Sequence, residues 1–259
     1  MTRELALWHL GHEKWVDILW PVFSNPEFDA HITRMYNVKH LDDFVHSANE
    51  RYSLTKTIPI YDDLFKAFRW CEPQYFKVLI LGQDPYPNPE NATGIAFGLP
   101  EDTSRMTSSL MNLFYEIERS YGKLTLGTDI SLFSWAWQGV LLLNSSLTLK
   151  EQPGDQYQAW RPWVSSIIDH ILYHYQDIPV ITFGTKAKQT LSEYALGLCR
   201  HIHSDHPAAS AYGKSNGAIG SDCFLLADAV LREKGQVPID WVYDKHMEAR
   251  IEKDEEAPF

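Results

Sequence analysis

An α/β fold, with a central four-stranded parallel sheet flanked by helices on both faces, is what this 259-residue chain predicts. Three observations predict it. Between residues 76 and 205 short, almost wholly apolar runs recur four times, the signature of strands buried on both faces. Segments with helical spacing of apolar residues separate them, supplying the crossovers that parallel strands need. Each run ends in polar or turn-forming residues. In open α/β sheets ligands lie beyond the carboxyl ends of the strands, so these endings predict one composite pocket.

The first 70 or so residues read as helical. HEKWVDILWPVF sets Trp15, Ile18 and Leu19 on one face, and IYDDLFKAFRW repeats the spacing with Leu64, Phe65 and Phe68. Pro21 and Pro26 interrupt the early part, so its helices are expected to be short. The strand runs follow: FKVLILG (76–82), GVLLLN (139–144), PVITFG (179–184) and the weaker CRHIHSD (199–205). SSLMNLFYEIERSYG supplies a helix before the second run and WRPWVSSIIDHILYHY one before the third. The last helix is SDCFLLADAVLREKG, with Ser221 as N-cap and Gly235 just past its end. Without a repeat, a linker or a compositional break, the chain reads as one domain over 1–243. A solvated acidic tail follows over 244–259.

Composition removes several function classes. No apolar run approaches the roughly 20 residues of a membrane span. The opening MTRELALWHLGHEKW mixes charge into its apolar stretch and offers no small-residue cleavage site, so it is a poor secretion signal. Cys71, Cys199 and Cys223 are scattered and form no CxxC spacing, which argues against a disulfide scaffold, a structural zinc site or an iron–sulfur cluster. A cytosolic or nuclear compartment is the expectation, with no metal and no cofactor. The formal charge of −11 argues against a nonspecific polyanion binder, although a local field can oppose the global sum.

The strand endings carry the chemistry. In GQDPYP (82–87) the proline after Asp84 keeps it extended, and Gly82 lets the backbone turn sharply off the strand. That is either an ordinary turn or a carboxylate held at the mouth of a pocket. Asn144, closing GVLLLN, is either a plain polar terminus or a paired donor and acceptor able to read a base edge. His206, in SDHPAAS, is also fixed by a following proline, whereas His201 and His203 read as surface or satisfied core residues. Phe97, in ATGIAFG, is either core or a stacking platform.

GQDPY, then GIAFG, then GVLLLN, then HP shortly before a final helix resembles the uracil-DNA glycosylase family of the GQDPY type. IPIYDDLFKAFRW and VPIDW (237–241) extend the likeness over roughly residues 12–242. The resemblance implies hydrolysis of the bond between uracil and deoxyribose in DNA, on a flipped-out nucleotide. It assigns Asp84 to the sugar cation and the attacking water, and a neutral His206 to uracil O2. Phe97 would stack on the base, Asn144 would read N3–H and O4, and Gln83 would help line the pocket. Tyr86 would stand against C5 and exclude thymine. DNA contacts would fall to Pro85, Ser109, Pro207, Ser210 and Tyr212. The implied partners are uracil-containing DNA, single- or double-stranded, and a possible protein inhibitor or replication partner, on a chain expected to be a monomer.

The chain departs from the family pattern in places. Pro87 replaces the usual His after GQDPY, a variant some viral members share. HPAAS has no leucine where the common HPSPLS places its wedge, which leaves Ser210 or Tyr212 to fill the gap. Small residues there predict a stronger preference for single-stranded or mismatched uracil. Asp205 beside His206 is expected to favour the charged imidazole. SRMTSSL (104–110) replaces a proline-rich phosphate loop, and KEQPGDQYQ (150–158) lacks histidines, so about three to five phosphate contacts are expected. No lysine occupies a position for a sugar Schiff base, so strand cleavage is not expected. The altered wedge and the acidic tail also motivate a second reading, a glycosylase-fold scaffold for DNA or replication proteins with weak or no activity. A mismatch-specific or iron–sulfur glycosylase fits poorly, because those carry Asn in the first motif or need four cysteines.

Overall fold

The structure, a computed structural model, describes residues 1–38, 57–123, 128–150, 156–213 and 215–242, without the side chains of 210–212. Helices α1 (Arg3–Leu10), α2 (Glu13–Phe23) and α3 (Pro26–Tyr36) open the chain. Strand β1 (Thr57–Ile58), a 3-10 turn at Tyr61–Asp63 and α4 (Lys66–Trp70) lead to β2 (Val78–Gly82). Helices α5 (Ser108–Tyr121) and α6 (Phe133–Trp137) precede β3 (Val140–Asn144). Next come β4 (Leu149–Lys150), α7 (Gln156–His174) and β5 (Pro179–Phe183). Helices α8 (Thr185–Thr190) and α9 (Glu193–Leu198), strand β6 (Arg200–Ser204) and α10 (Cys223–Glu233) complete the order.

The four expected runs form one parallel sheet in the order β3-β2-β5-β6, while β1 pairs antiparallel with β4 apart from it. Strand alternation splits the core in two. Leu79, Leu81, Leu141, Leu143 and Val180 face a layer with Trp15, Phe28, Phe68 and Trp160. Val78, Ile80, Val140, Leu142 and Phe183 face a layer with Phe114, Trp135, Phe224 and Trp241. A strand buried on both sides has no polar face to show, which is why these runs are continuously apolar.

Three local expectations need correction. Pro21 does not interrupt α2 but lies inside it. Pro21 and Asp17, whose carbonyl loses the missing N–H, both lie on the solvent-exposed face of the helix, where the loss is cheapest. IYDDLFKAFRW is not one helix: the Asp62 carbonyl accepts from the Arg69 guanidinium, and the segment breaks into the 3-10 turn and α4. The N-cap of α10 is Asp222 rather than Ser221, although the Ser221 hydroxyl still accepts from the Cys223 N–H at 3.4 Å. The Asp222 N–H goes to the buried Glu116 carboxylate at 2.8 Å, which fixes the entry to the helix. Gly235 follows the end of α10 with φ of 68°, and Gln236 N–H closes back on the Leu231 carbonyl at 2.8 Å. VPIDW is tied down by the buried Asp228, which accepts from Ile239 N–H and Trp241 Nε1. The acidic tail from residue 244 lies outside the described residues, as do 151–155 of the KEQPGDQYQ segment.

Candidate active site

Strands β2 and β3 end side by side, with Gly82 opposite Asn144. Past the ends the two chains stay zipped. Ser145 donates to the Gly82 carbonyl from its N–H at 3.0 Å and from its hydroxyl at 2.8 Å, and Ser146 N–H donates to the Gln83 carbonyl at 2.9 Å. Gly82 is glycine for a visible reason. A Cβ there would lie 2.5 Å from Asn144 Oδ1 and 3.2 Å from the Phe97 ring, so its absence lets amide and ring meet. Among the described residues the Asn144 amide has no hydrogen-bond partner, and the residue is 9% exposed.

Asp84 follows, half-buried, with Gln83 Nε2 donating to its Oδ2 at 2.6 Å. The Tyr86 phenol donates to the Phe97 carbonyl at 2.9 Å and accepts from the Thr107 hydroxyl at 2.8 Å. Burial drives that phenol's pKa well up, with the Thr107 hydrogen bond opposing. Phe97 has φ of 66°, a left-handed conformation that costs a bulky residue about 1–3 kcal/mol. Its neighbours hold it there: Ala96 N–H bonds the Leu142 carbonyl at 3.2 Å, and the ring meets Phe183 edge-on with centroids 5.4 Å apart.

The other wall comes from β5 and β6. Gly184, with φ of 90°, donates to the Ser204 carbonyl at 2.8 Å, and a Cβ on it would sit 3.1 Å from His206 Cβ. His206 opens the 3-10 turn Pro207–Tyr212. Its Nδ1 accepts from Ala208 N–H at 3.2 Å, and its ring centroid lies 6.1 Å from that of Phe97. Asn112 Nδ2, on α5, donates to the Pro207 carbonyl at 2.7 Å. Burial lowers the His206 pKa below the ordinary 6.5, and the Asp84 carboxylate opposes the shift less strongly. The imidazole is neutral near pH 7. This corrects the expectation that Asp205 favours the charged form: Asp205 is exposed, and burial outweighs the carboxylate that does act on the ring.

These walls enclose a cleft of about 760 Å³. The structure brings Gln83, Asp84, Pro85, Tyr86, Phe97, Ser109, Asn144 and His206 to its lining. Pro207 is buried behind His206, with only its neighbours Ala208 and Ala209 reaching the cleft. The side chains of Ser210 and Tyr212 lie outside the described residues. His201 and His203 turn elsewhere, each bonded to the Thr182 hydroxyl at 2.9 and 3.0 Å. Among the described residues no group of three His, Cys, Asp or Glu side chains is placed to hold a metal ion.

A family model described as the uracil DNA glycosylase superfamily matches residues 68–231, which contain both walls of this cleft. The chain belongs to the uracil-DNA glycosylase superfamily. It is 33% identical over 220 residues to a uracil-DNA glycosylase of Amoebophilus asiaticus, covering 83% of this chain and 97% of that one. It is 33% identical over 197 residues to that of Escherichia coli K12, covering 75% and 85%. Its fold is similar to mimivirus uracil-DNA glycosylase, with a TM-score of 0.72 at 22% identity over 93% of this chain and 89% of that one. The Nitratifractor salsuginis UNG structure gives 0.61 at 24% identity, over 88% and 95%.

Within this glycosylase, four further residues at or behind the cleft were not singled out by sequence reasoning and bear on its geometry. Thr185 and Lys186 line it just after β5, and the polar ending GTK was their signal. Thr107 also lines it, and Asn112 stands behind Pro207; neither shows in sequence, because each acts through a partner distant along the chain.

Proposed function

We propose that this cleft hydrolyses the bond joining uracil to deoxyribose in DNA, acting on a nucleotide flipped out of the helix. The chain is a monofunctional uracil-DNA glycosylase that begins base-excision repair. Within the superfamily we assign it to the GQDPY type on residues 82–86, with HPAAS at 206–210 as a variant of the last motif.

As the C1′–N1 bond lengthens, its electron pair moves onto uracil and positive charge grows on the sugar. Asp84 stabilises that cation and accepts the proton of the water that attacks C1′. His206 donates to uracil O2, where negative charge collects. One carboxylate suffices, because the uracil anion leaves without the protonation that an alkoxide needs. Phe97 stacks on the base, and Gln83 lines the pocket beside it. Asn144 accepts from N3–H and donates to O4; cytosine presents the opposite pattern and leaves buried polar groups unpaired, worth about 10⁴-fold in discrimination. The Tyr86 ring stands against C5 and meets thymine's methyl.

One observation carries this reading: His206 Nδ1 accepts the Ala208 N–H in a ring that burial keeps neutral. A neutral imidazole engaged that way holds its proton on Nε2, ready to donate. The test is release of free uracil from an oligonucleotide carrying a single deoxyuridine. Wild type releases it, while Asp84→Asn and His206→Ala are slower by orders of magnitude. No release by wild type would leave only the scaffold role, and equal rates in wild type and Asp84→Asn would sink the mechanism.

DNA is gripped by Ser109 in the first turn of α5, by Pro85, and by Ser210 and Tyr212 in the turn after His206, while the buried Pro207 only shapes that turn. With no leucine wedge in that turn, single-stranded uracil is the better substrate. A mimivirus UNG variant was solved in complex with UGI, which makes UGI the inhibitor to try on this glycosylase.

A further inference from the structure

We propose that Thr107 is a positioning residue that fixes the Tyr86 ring and so sets discrimination against groups at C5 of the pyrimidine. The inference rests on the role given above to Tyr86. A ring that excludes a methyl group must not swing aside, and nothing in the G-Q-D-P-Y turn itself supplies that rigidity. The hydrogen bonds do. The Tyr86 phenol has one proton and gives it to the Phe97 carbonyl at 2.9 Å. The 2.8 Å contact between the Tyr86 and Thr107 oxygens must then carry the Thr107 proton. Thr107 Oγ1 in turn accepts the Leu110 N–H at 3.3 Å, as the N-cap of α5. Proton direction is thereby settled along the whole chain: Leu110 N–H to Thr107, Thr107 to Tyr86, Tyr86 to Phe97.

The ends of this chain are as informative as its middle. One is the backbone of Phe97, the stacking platform, whose carbonyl the phenol pins beside a left-handed φ. The other is the first turn of α5, whose Ser108 and Ser109 line the cleft. Thr107 therefore ties the C5 gate, the base platform and the serine-bearing helix end into one unit. A side chain of the same shape without the hydroxyl leaves the phenol a free acceptor and removes the tether between gate and helix.

The experiment measures excision of 5-fluorouracil, 5-bromouracil, thymine and uracil from otherwise identical single-stranded oligonucleotides. Each variant's 5-bromouracil-to-uracil ratio of kcat/KM is divided by that of wild type. Differences in leaving-group chemistry cancel in that quotient. We expect Thr107→Val to raise it about tenfold and Thr107→Ser to restore it to wild type. Thr107→Val also loses the cap of α5, so Tyr86→Phe, which keeps that cap, is run beside it. Because it also loses the bond to the Phe97 carbonyl, it is expected to raise the quotient at least as far, and the double variant to go no further than Tyr86→Phe. A loss of helix stability alone lowers all four substrates together and leaves the quotient at one, which overturns the proposal. So does a Thr107→Ser variant as permissive as Thr107→Val. Tyr86→Ala separates the two layers of argument. If it fails to admit 5-bromouracil, the role of Tyr86 itself falls; if it admits 5-bromouracil while Thr107→Val does not, only the role of Thr107 falls.

Discussion

The two walls of the cleft are built by different means. On one side, β2 and β3 are paired along five residues, buried throughout, and stay bonded through Ser145 and Ser146, which fixes the backbone that carries Asp84 and Asn144. On the other side, β6 is a partly exposed edge strand, with Arg200 and His203 exposed where β3, at the opposite edge, is buried throughout, and His206 lies two residues beyond its end. Side chains and a turn place that histidine: the Ala208 N–H on Nδ1 and the Asn112 amide on Pro207. The difference teaches where the tolerance lies. The residues proposed to read the base sit on the wall that cannot move without breaking the sheet, whereas the histidine proposed to donate to the departing base sits on a wall held by a turn, where movement is cheaper.

Removing charge from the rigid wall gives the largest expected effect. Asp84→Asn keeps an acceptor for Gln83 Nε2, at 2.6 Å from the carboxylate, but no anion to face the sugar cation. Uracil release falls about 10³-fold, with no change in melting temperature. A variant that melts early instead would show the carboxylate serving the wall and not the reaction.

Next comes a test of the wall's rigidity. Gly82→Ala drives a methyl to 2.5 Å from Asn144 Oδ1 and to 3.2 Å from the Phe97 ring. The Phe97 ring is packed against Phe183 and the Asn144 backbone is fixed at the end of a buried strand, so the amide has to turn out of the position proposed to read the base. A displacement of this size costs about 10²-fold in kcat/KM, with a raised KM for uracil-containing DNA. An unchanged KM would mean the amide does not read the base.

The same measurement on the other wall is milder. Asn112→Ala frees the Pro207 carbonyl from its 2.7 Å, part-buried bond, and the loss of that support lowers kcat/KM about tenfold. An effect exceeding that of Gly82→Ala would reverse the comparison and make the histidine turn the less forgiving wall.

What the sequence made legible follows the same division. Strands β2, β3 and β5 are buried on every residue, so hydrophobicity alone marks them, and their endings GQD, LLLN and GTK announce the cleft. Strand β6, unlike β3 at the opposite edge, mixes exposed and buried positions, which is why its run reads as the weakest. Local rules failed where a distant group intervenes. Arg69 takes the Asp62 carbonyl and breaks a helix that spacing favours, and Glu116 takes the Asp222 N–H and shifts the start of α10 by one residue. Pro21 failed as a breaker because it and Asp17, whose carbonyl it deprives of a donor, both lie on the exposed face of α2. Thr107 is illegible for a plainer reason: nothing in TSSL announces a phenol from residue 86.

The smallest expected effect concerns how the two walls sense each other. Burial lowers the His206 pKa below 6.5, and the Asp84 carboxylate across the cleft partly restores it. Because the folded value lies below the unfolded one, the unfolded chain takes up this proton first as pH falls. His206 therefore weakens folding progressively on acidification from about 6.5 downward, and contributes nothing to pH dependence above it. Within the folded protein, the carboxylate's share can be read directly. A nitrogen-15 titration of the imidazole in wild type shows a midpoint below 6.5, and the same titration in Asp84→Asn shows a still lower one, since only the raising influence has been removed. The acid limb of kcat/KM in wild type stays below the same limit, because the donor must be the neutral ring. An upward shift in Asp84→Asn would mean that the carboxylate and the imidazole do not share a cleft, and the two walls would then have to be treated as separate sites.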